Sequence, residues 1–390
     1  MKKIFLTLCL VTIILCAALP ISAIPAMAAE TDKGYRAYYV MDFDTGTVIA
    51  EENANDKYPI ASMVKIMTLA ITFDEISKGN LNFDETITVS DYAAGMGGSQ
   101  MFLDAGAEYP INDLIKGVIV CSANDAATAL GERISGNIEA FVVKMNAYAK
   151  EIGMNDTVFC NATGLPNSGE QYSTAHDVSL MMQKVMSCPE YYKYSKIWME
   201  NYTHPDGRIT EMVNTNKLIR IMPECDGGKT GFTNEAGFCL SAGAKQGETK
   251  VIATLLGGSD SKTRFRKVSE LLKSALAKYE TKVYVRKNEK MECSIPQLKK
   301  AKTTTLNIYC DKDLKFFTEK NSSDSCSTEI NFYENLVAPI AANSPIGTLN
   351  LLNPNGEIIS SATLYTDTEI EKMTFGDYLK KIIQNNYFKH

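Results

Sequence analysis

The segment that most narrows the possible folds runs from Ile60 to Ile76. It is apolar on nearly every face and broken only by Ser62, Lys65, Thr68, Thr72 and the closing Asp74-Glu75. A helix without a polar stripe has to be enclosed on all sides, so a layered domain must surround it. The chain can supply one: 390 residues with 45% hydrophobic and 22% charged side chains allow two domains and a sizeable core. That composition excludes disordered, collagenous and coiled-coil chains. Inside the enclosed helix, Lys65 follows Ser62 by one turn, so the two side chains share a face. A serine hydroxyl is a weak nucleophile until a base takes its proton. A lysine amine becomes such a base when burial lowers its pKa.

Other chemistries are poorly provided for. Forty Lys+Arg against 46 Asp+Glu give a net charge of −6, which argues against a nucleic-acid binder. The histidines are His176, His204 and His390, with no HExxH or CxxC spacing to hold a zinc ion, so the expected metal content is none.

Around the buried helix the pattern predicts strands at 37–41 and 47–50, helical stretches over 111–134 and 138–152, and strands at 237–244 and 250–256. Helices between terminal strands imply an α+β domain whose sheet is drawn from both ends of the region. Beyond Lys278 the texture changes to short alternating segments such as 282–285 and 304–309. Asn353-Pro354-Asn355-Gly356 is expected to turn between strands at 348–352 and 357–362. We therefore expect a signal peptide at 1–28, the main domain at 29–278, a small β-rich domain at 279–366 and a terminal helix at 367–390.

The two ends carry targeting features. Lys2 and Lys3, an apolar run to Leu19 and the small-residue site Ala26-Met27-Ala28 form an export signal. Its loss takes the charge from −6 to −8 and leaves eight of the ten cysteines. Their pairing is not readable from spacing, and we leave them unpaired. At the other end Phe375, Tyr378, Leu379, Ile382, Ile383 and Tyr387 fall on one helical stripe. Lys372, Lys380, Lys381 and Lys389 stand against Glu371 and Asp377, for +2 on an acidic protein. A short, basic, amphipathic helix suits a membrane surface and is too short and charged to span a bilayer. The expected location is therefore exported, at the outer face of the cytoplasmic membrane or secreted.

Two further motifs complete the chemistry. Ser122-Ala123-Asn124 offers a second hydroxyl for proton relay and an amide for substrate. Lys229-Thr230-Gly231 offers a cation and a hydroxyl for a carboxylate, with a glycine that lets a backbone approach a strand edge. Each is unremarkable alone: Ser259-Asp260-Ser261-Lys262 and Ser135-Gly136-Asn137 repeat two of the patterns elsewhere. Their order and spacing are informative together, since Ser122 follows Ser62 by 60 residues and Lys229 follows Ser122 by 107. On an exported chain this trio resembles the penicillin-recognising serine enzymes.

Finer segments resemble one branch, the D-alanyl-D-alanine carboxypeptidases or low-molecular-mass penicillin-binding proteins. They are Pro59 to Thr68, Gly97-Gly98-Ser99-Gln100-Met101, Asn161 to Pro166, Tyr172 to Asp177, and Gly228 to Thr233 followed by Ala236-Gly237. The resemblance implies a transpeptidase-like α+β domain, then a small β-rich domain and an amphipathic tail. It implies hydrolysis of peptidoglycan stem peptides ending in D-Ala-D-Ala, covalent inhibition by β-lactams, and no cofactor. Ser62 is then the nucleophile, Lys65 its base and Ser122 the proton relay. Asn124 holds the substrate amide, Lys229, Thr230 and Gly231 bind its terminal end, and the N–H groups of Ser62 and Phe232 form the oxyanion hole. Arg264 is a weaker candidate for carboxylate binding, because an arginine after a strand is ordinarily at the surface. A serine β-lactamase shares the acylation apparatus but needs a deacylating glutamate. Glu151-Ile152-Gly153-Met154-Asn155 imitates that motif, yet Gly153 reads as a helix terminator. A catalytically silent peptidoglycan-binding module is the remaining alternative.

Overall fold

The computed structural model describes residues 34–166 and 169–387; the expected export signal lies outside them. An antiparallel pair, β1 (Ala37–Asp42) and β2 (Val48–Glu52), leads into a 3₁₀ turn (Ala61–Met63) and helix α1 (Val64–Ser77). Short strands β3 (Thr86–Thr88) and β4 (Glu108–Pro110) flank α2 (Asp91–Ala94). Helices α3 (Ile111–Val120), α4 (Asn124–Ser135), α5 (Ile138–Glu151) and α6 (Ala175–Met186) follow. A hairpin of β5 (Met199–Thr203) and β6 (Ile209–Val213), then α7 (Leu218–Ile221), precede three long strands. These are β7 (Cys225–Thr233), β8 (Gly237–Gln246) and β9 (Thr249–Gly258), closed by α8 (Ser261–Lys278).

The main sheet has the order β2-β1-β9-β8-β7 and is antiparallel throughout, so strands from both ends of the region meet as anticipated. Alternation divides its side chains between two cores. Tyr39, Met41 and Ile252 join the cluster containing α1, α3, α4 and α6, whereas Val40, Val251 and Ala253 face Phe265, Val268 and Leu272 of α8. Every residue of α1 from Val64 to Phe73 is buried, as an apolar helix without a polar stripe requires. Strand β7 is left at one edge of the sheet, open to an extended peptide.

The expected continuous helix over 111–134 is instead two helices, broken at Cys121-Ser122-Ala123. Ser122 takes a left-handed conformation with φ of 62°, uncommon for a residue with a Cβ. Helices α6 and α8 were not anticipated; α8 starts where the Asp260 side chain accepts from the Thr263 N–H at 2.7 Å. The imitation motif at Ser259 and Lys262 is thus an exposed helix start. Asn137, in the other imitation, caps α5 by accepting from the Ala140 N–H at 2.8 Å.

The β-rich region comprises β10 (Tyr279–Val285), β11 (Met291–Ser294), β12 (Thr305–Cys310), β13 (Leu314–Glu319), β14 (Ser327–Phe332), β15 (Pro345–Leu352) and β16 (Ile358–Thr366). Strands β10 and β13 pair, and the others form a sheet of order β11-β12-β16-β15-β14. Ile308, Leu349, Leu351 and Leu364 give it a core of its own. The predicted turn forms: Asn353 Oδ1 accepts from the N–H groups of Asn355 and Glu357, both at 2.9 Å. The tail forms α9 (Phe375–Tyr387), begun by a capping box in which Thr374 N–H donates to Asp377 Oδ2 at 2.8 Å and Asp377 N–H to Thr374 Oγ1 at 3.3 Å. Its apolar stripe is uncovered, with Phe375 84% and Ile382 56% exposed. Among the described residues, no helix is long and apolar enough to cross a membrane, and no disulfide links the cysteines.

Candidate active site

Three backbone segments converge on Ser62. The 3₁₀ turn carrying it packs against β7 so closely that a Cβ on Gly231 would lie 2.7 Å from the Ile60 carbonyl oxygen and 3.2 Å from Met63 N. From the other side comes Gly164, whose φ is +82° and whose missing Cβ would fall 1.9 Å from the Ala61 carbonyl oxygen. The approach brings the Phe232 region of β7 alongside the Ser62 backbone. Both positions tolerate only glycine, for lack of space at Gly231 and for space and backbone conformation at Gly164.

Lys65 is fully buried, and its Nζ donates to Ser62 Oγ at 2.8 Å and to the Thr163 carbonyl oxygen at 2.9 Å. Burial, and next the charge of Lys229, hold its pKa well below that of a free lysine. The Thr163 carbonyl is aimed by Asn161, whose Oδ1 accepts from the Thr163 and Gly164 N–H groups at 3.0 and 2.6 Å and whose Nδ2 donates to the Leu165 carbonyl at 2.9 Å. The carboxypeptidase-like segment from Asn161 to Pro166 does not by itself reveal this task for Asn161. An Asn at this position is a turn signal, since its side chain can bond the backbone two residues on.

Ser122 and Lys229 form a second pair: Lys229 Nζ donates to Ser122 Oγ at 2.7 Å and to the Thr230 carbonyl at 2.9 Å. Burial and then the Arg264 charge lower the Lys229 pKa to about 7. The left-handed turn at Ser122 ends α3, directs its hydroxyl to Lys229 and lets Asn124 begin α4. Asn124 N–H donates to the Ser99 carbonyl at 2.7 Å, and its Nδ2 to the Gly97 carbonyl at 2.6 Å. Asp125 accepts from the N–H groups of Met101 and Leu103 at 3.2 and 3.1 Å, so the Gly97 to Met101 segment is stitched to the helix start. Asn124 Oδ1 is buried and has no partner among the described residues. A buried acceptor left open is costly unless a ligand fills it.

Thr230 is buried and Phe232 is half exposed, its ring 4.2 Å from that of Phe238. Arg264 is not at the surface. It is buried on α8, with Nη1 donating to the Gly231 and Cys239 carbonyls at 3.0 and 3.2 Å and the guanidinium 4.8 Å from the Phe265 ring centre. Its charge reaches the site from beneath the strand. Glu151 is exposed at the end of α5, where Gly153 has φ of +86°; it is not hydrogen-bonded to Ser62 or Lys65. Among the described residues no cluster of three or more His, Cys, Asp or Glu side chains could hold a metal ion.

This arrangement offers a hydroxyl on a desolvated amine, a second hydroxyl on a second lysine, an open amide acceptor and a strand edge with two glycine-permitted contacts. Comparison with known proteins identifies the family. A family profile described as D-alanyl-D-alanine carboxypeptidase matches residues 25–260. A second, described as penicillin-binding protein 5, C-terminal domain, matches residues 279–372. The D-alanyl-D-alanine carboxypeptidase DacF of Bacillus subtilis (strain 168) is 34% identical over 343 residues, 88% of this chain and 87% of that protein. DacA of Escherichia coli (strain K12), also a D-alanyl-D-alanine carboxypeptidase, is 29% identical over 398 residues, 98% and 95% of the two chains. The crystal structure of the D-alanyl-D-alanine carboxypeptidase DacD from Francisella tularensis has a TM-score of 0.64 at 31% identity, covering 87% of this chain and 94% of that one.

Proposed function

The chain belongs to the D-alanyl-D-alanine carboxypeptidase family, and on that premise we propose that it removes the terminal D-Ala from peptidoglycan pentapeptide stems through an acyl-enzyme on Ser62. The observation that carries the reading is the buried Lys65 amine 2.8 Å from Ser62 Oγ. Once neutral, that amine takes the hydroxyl proton along the same line as Oγ attacks the penultimate D-Ala carbonyl. The negative charge that develops on the carbonyl oxygen is met by the N–H groups of Ser62 and Phe232. The proton then passes by way of Ser122, held by Lys229, to the nitrogen of the departing D-Ala. Asn124 Oδ1 accepts from the substrate amide, and Lys229, Thr230 and Gly231 receive the terminal carboxylate end. Arg264 acts through Lys229 and the strand carbonyls it binds rather than on substrate. Water completes the cycle by cleaving the ester, regenerating the Ser62 hydroxyl and releasing the shortened stem.

β-Lactams enter the same reaction and stop at the ester, which distinguishes this enzyme from a β-lactamase. The exposed position of Glu151 supports slow deacylation of a penicillin. Incubation with a pentapeptide should remove a single alanine, read by mass spectrometry, and a fluorescent penicillin should label the protein persistently. Rapid turnover of that label would indicate a β-lactamase, and absence of both label and alanine release would leave a wall-binding module.

We also assign the protein to the outer face of the cytoplasmic membrane, exported by residues 1–28 and held peripherally by α9. The uncovered apolar stripe of Phe375, Tyr378, Leu379, Ile382 and Ile383, and the lysines beside it, support this. Truncation before Met373 should release the mature protein into the soluble fraction while activity on soluble peptide is retained. Unchanged membrane retention would remove α9 from that role.

A further inference from the structure

Helix α8 gives one face to the main sheet and another to solvent. Phe265, Val268, Leu272 and Leu276 pack into the core, and helical spacing then sets Lys262, Arg266, Glu270 and Lys273 on one exposed stripe. The stripe lines one side of a groove of about 660 Å³, whose other side is Lys217, just before α7, and Ile221 at its end. Ile221 is 64% exposed there. The groove shares no residue with the site around Ser62.

Its cations are placed at a cost to the fold. Lys262 and Arg266 stand one turn apart, a like-charge pair that weakens a helix. Lys262 is the second residue of α8, where the helix dipole disfavours positive charge, and no acidic residue occupies that first turn. Four cations share the groove with one carboxylate, on a chain whose net charge is −6. That carboxylate, Glu270, is taken by Arg266, whose Nη1 lies 3.0 Å from its Oε1. Asp260, the acid at the helix start, is held by the Thr263 N–H and hydroxyl at 2.7 and 2.9 Å. Lys217, Lys262 and Lys273 line the groove and make no ion pair among the described residues.

We propose that this groove binds an anionic polyol-phosphate chain, a phosphodiester polymer of the poly(glycerol phosphate) type. Lys262 and Lys273 are separated by about 16 Å along the helix axis, at 1.5 Å per residue, and Lys217 stands on the opposite wall. A single phosphate cannot span that distance. A chain with repeated phosphates can, with its carbons over Ile221 and Phe265. The concave form suits a chain better than the flat face of a bilayer. Nucleic acid is disfavoured, because Phe265 is the one aromatic residue in the groove wall and is only 6% exposed, leaving no stacking platform. Such binding would hold the protein among anionic wall polymers independently of α9.

The test titrates the full-length protein and its variants with synthetic poly(glycerol phosphate). Three lysine–phosphate contacts should give a slope of log affinity on log salt of about −2, a loss of roughly 20-fold between about 50 and 200 mM salt. Lys217→Gln/Lys262→Gln/Lys273→Gln should bind about tenfold more weakly or worse at the lower salt, with a slope near zero. Lys287→Gln/Lys299→Gln/Lys312→Gln removes the same charge from exposed lysines of the β-rich region and should bind as the unmodified protein does. Both variants should keep the thermal midpoint, since every replaced side chain is at the surface, so weaker binding cannot come from unfolding. Absence of salt-sensitive binding in the unmodified protein, its retention in the first variant, or equal loss in both variants would overturn the inference. So would loss of binding to phosphatidylglycerol vesicles in the first variant with polymer binding intact, which would assign the groove to a lipid surface. None of these outcomes bears on the carboxypeptidase reading, which release of D-Ala tests separately.

Discussion

Lys65→Ala should slow acylation of the protein by a penicillin by about 10²-fold to 10⁴-fold, the contribution of a positioned general base, with the chain still folded. The amine is enclosed within α1 and touches Ser62 Oγ and the Thr163 carbonyl, so no solvent base can take its place at the same distance. The folded state gains little from Lys65, because burial and then the Lys229 charge lower its pKa. The unfolded chain therefore binds more protons than the native one between that lowered pKa and the ordinary lysine value of 10.5. Native stability rises with pH across this window. Lysine 229, with its pKa at about 7, contributes in the same direction. Removing the Lys65 amine should flatten part of that rise, measured as thermal midpoint against pH, and acylation by the unmodified protein should fall as pH drops through the Lys65 pKa. Normal acylation by Lys65→Ala would remove the residue from its role as base.

Gly164→Ala should be the most damaging single methyl group in the catalytic region. The new carbon would sit 1.9 Å from the Ala61 carbonyl oxygen, 2.3 Å from its carbon and 2.9 Å from Ser62 N. All three are backbone atoms, so no flexible side chain can yield. The left-handed φ of +82° adds strain of its own. Together these should cost about 3 kcal/mol or more of stability. The relief available is displacement of the 3₁₀ turn bearing Ser62, and a shift near 1 Å there should lower D-Ala release by about 10²-fold. Gly207→Ala is the matched control: its φ is +87° with nothing within 4 Å of the added carbon, so it should cost only the backbone strain, about 1–2 kcal/mol. Denaturant unfolding of the two variants measures the difference. Equal stability of both would contradict the close approach of the 164 turn to the nucleophile.

The parts of this fold that were legible beforehand are those in which one local pattern met no competitor. The stretch 60–76 had no polar face and became a 3₁₀ turn followed by a buried helix; 37–41 and 251–256 were short apolar runs and became strands of the main sheet. The turn at Asn353 to Gly356 formed where Asn and Gly supply its chemistry. The break at Ser122 was hidden because helical spacing runs through it from Ile111 to Ile134, and the break itself, at Cys121-Ser122-Ala123, carries neither Gly nor Pro. Tertiary contacts from the 97–103 segment to Asn124 and Asp125 fix the break instead. Arg264 was misleading for a related reason. The residues that bury it, Phe238 and Phe265, and the carbonyls it binds belong to elements whose proximity is set by sheet order. Helix α8 was written in the chain, with Phe265, Val268, Leu272, Ala275 and Leu276 on one face, but its many charged residues obscured that stripe. For the site, the three motifs supplied the residue types. Which serine meets which lysine follows only from the convergence of β7, the 3₁₀ turn and the α3–α4 junction.

One experiment reaches the centre of this account: digest the penicillin-labelled protein and locate the added mass by tandem mass spectrometry. The drug's mass should be found on the peptide containing Ser62, at its Oγ, and should vanish in Ser62→Ala. Its appearance on Ser122 or any other side chain, or persistence of labelling in Ser62→Ala, would show that the hydroxyl beside Lys65 is not the nucleophile.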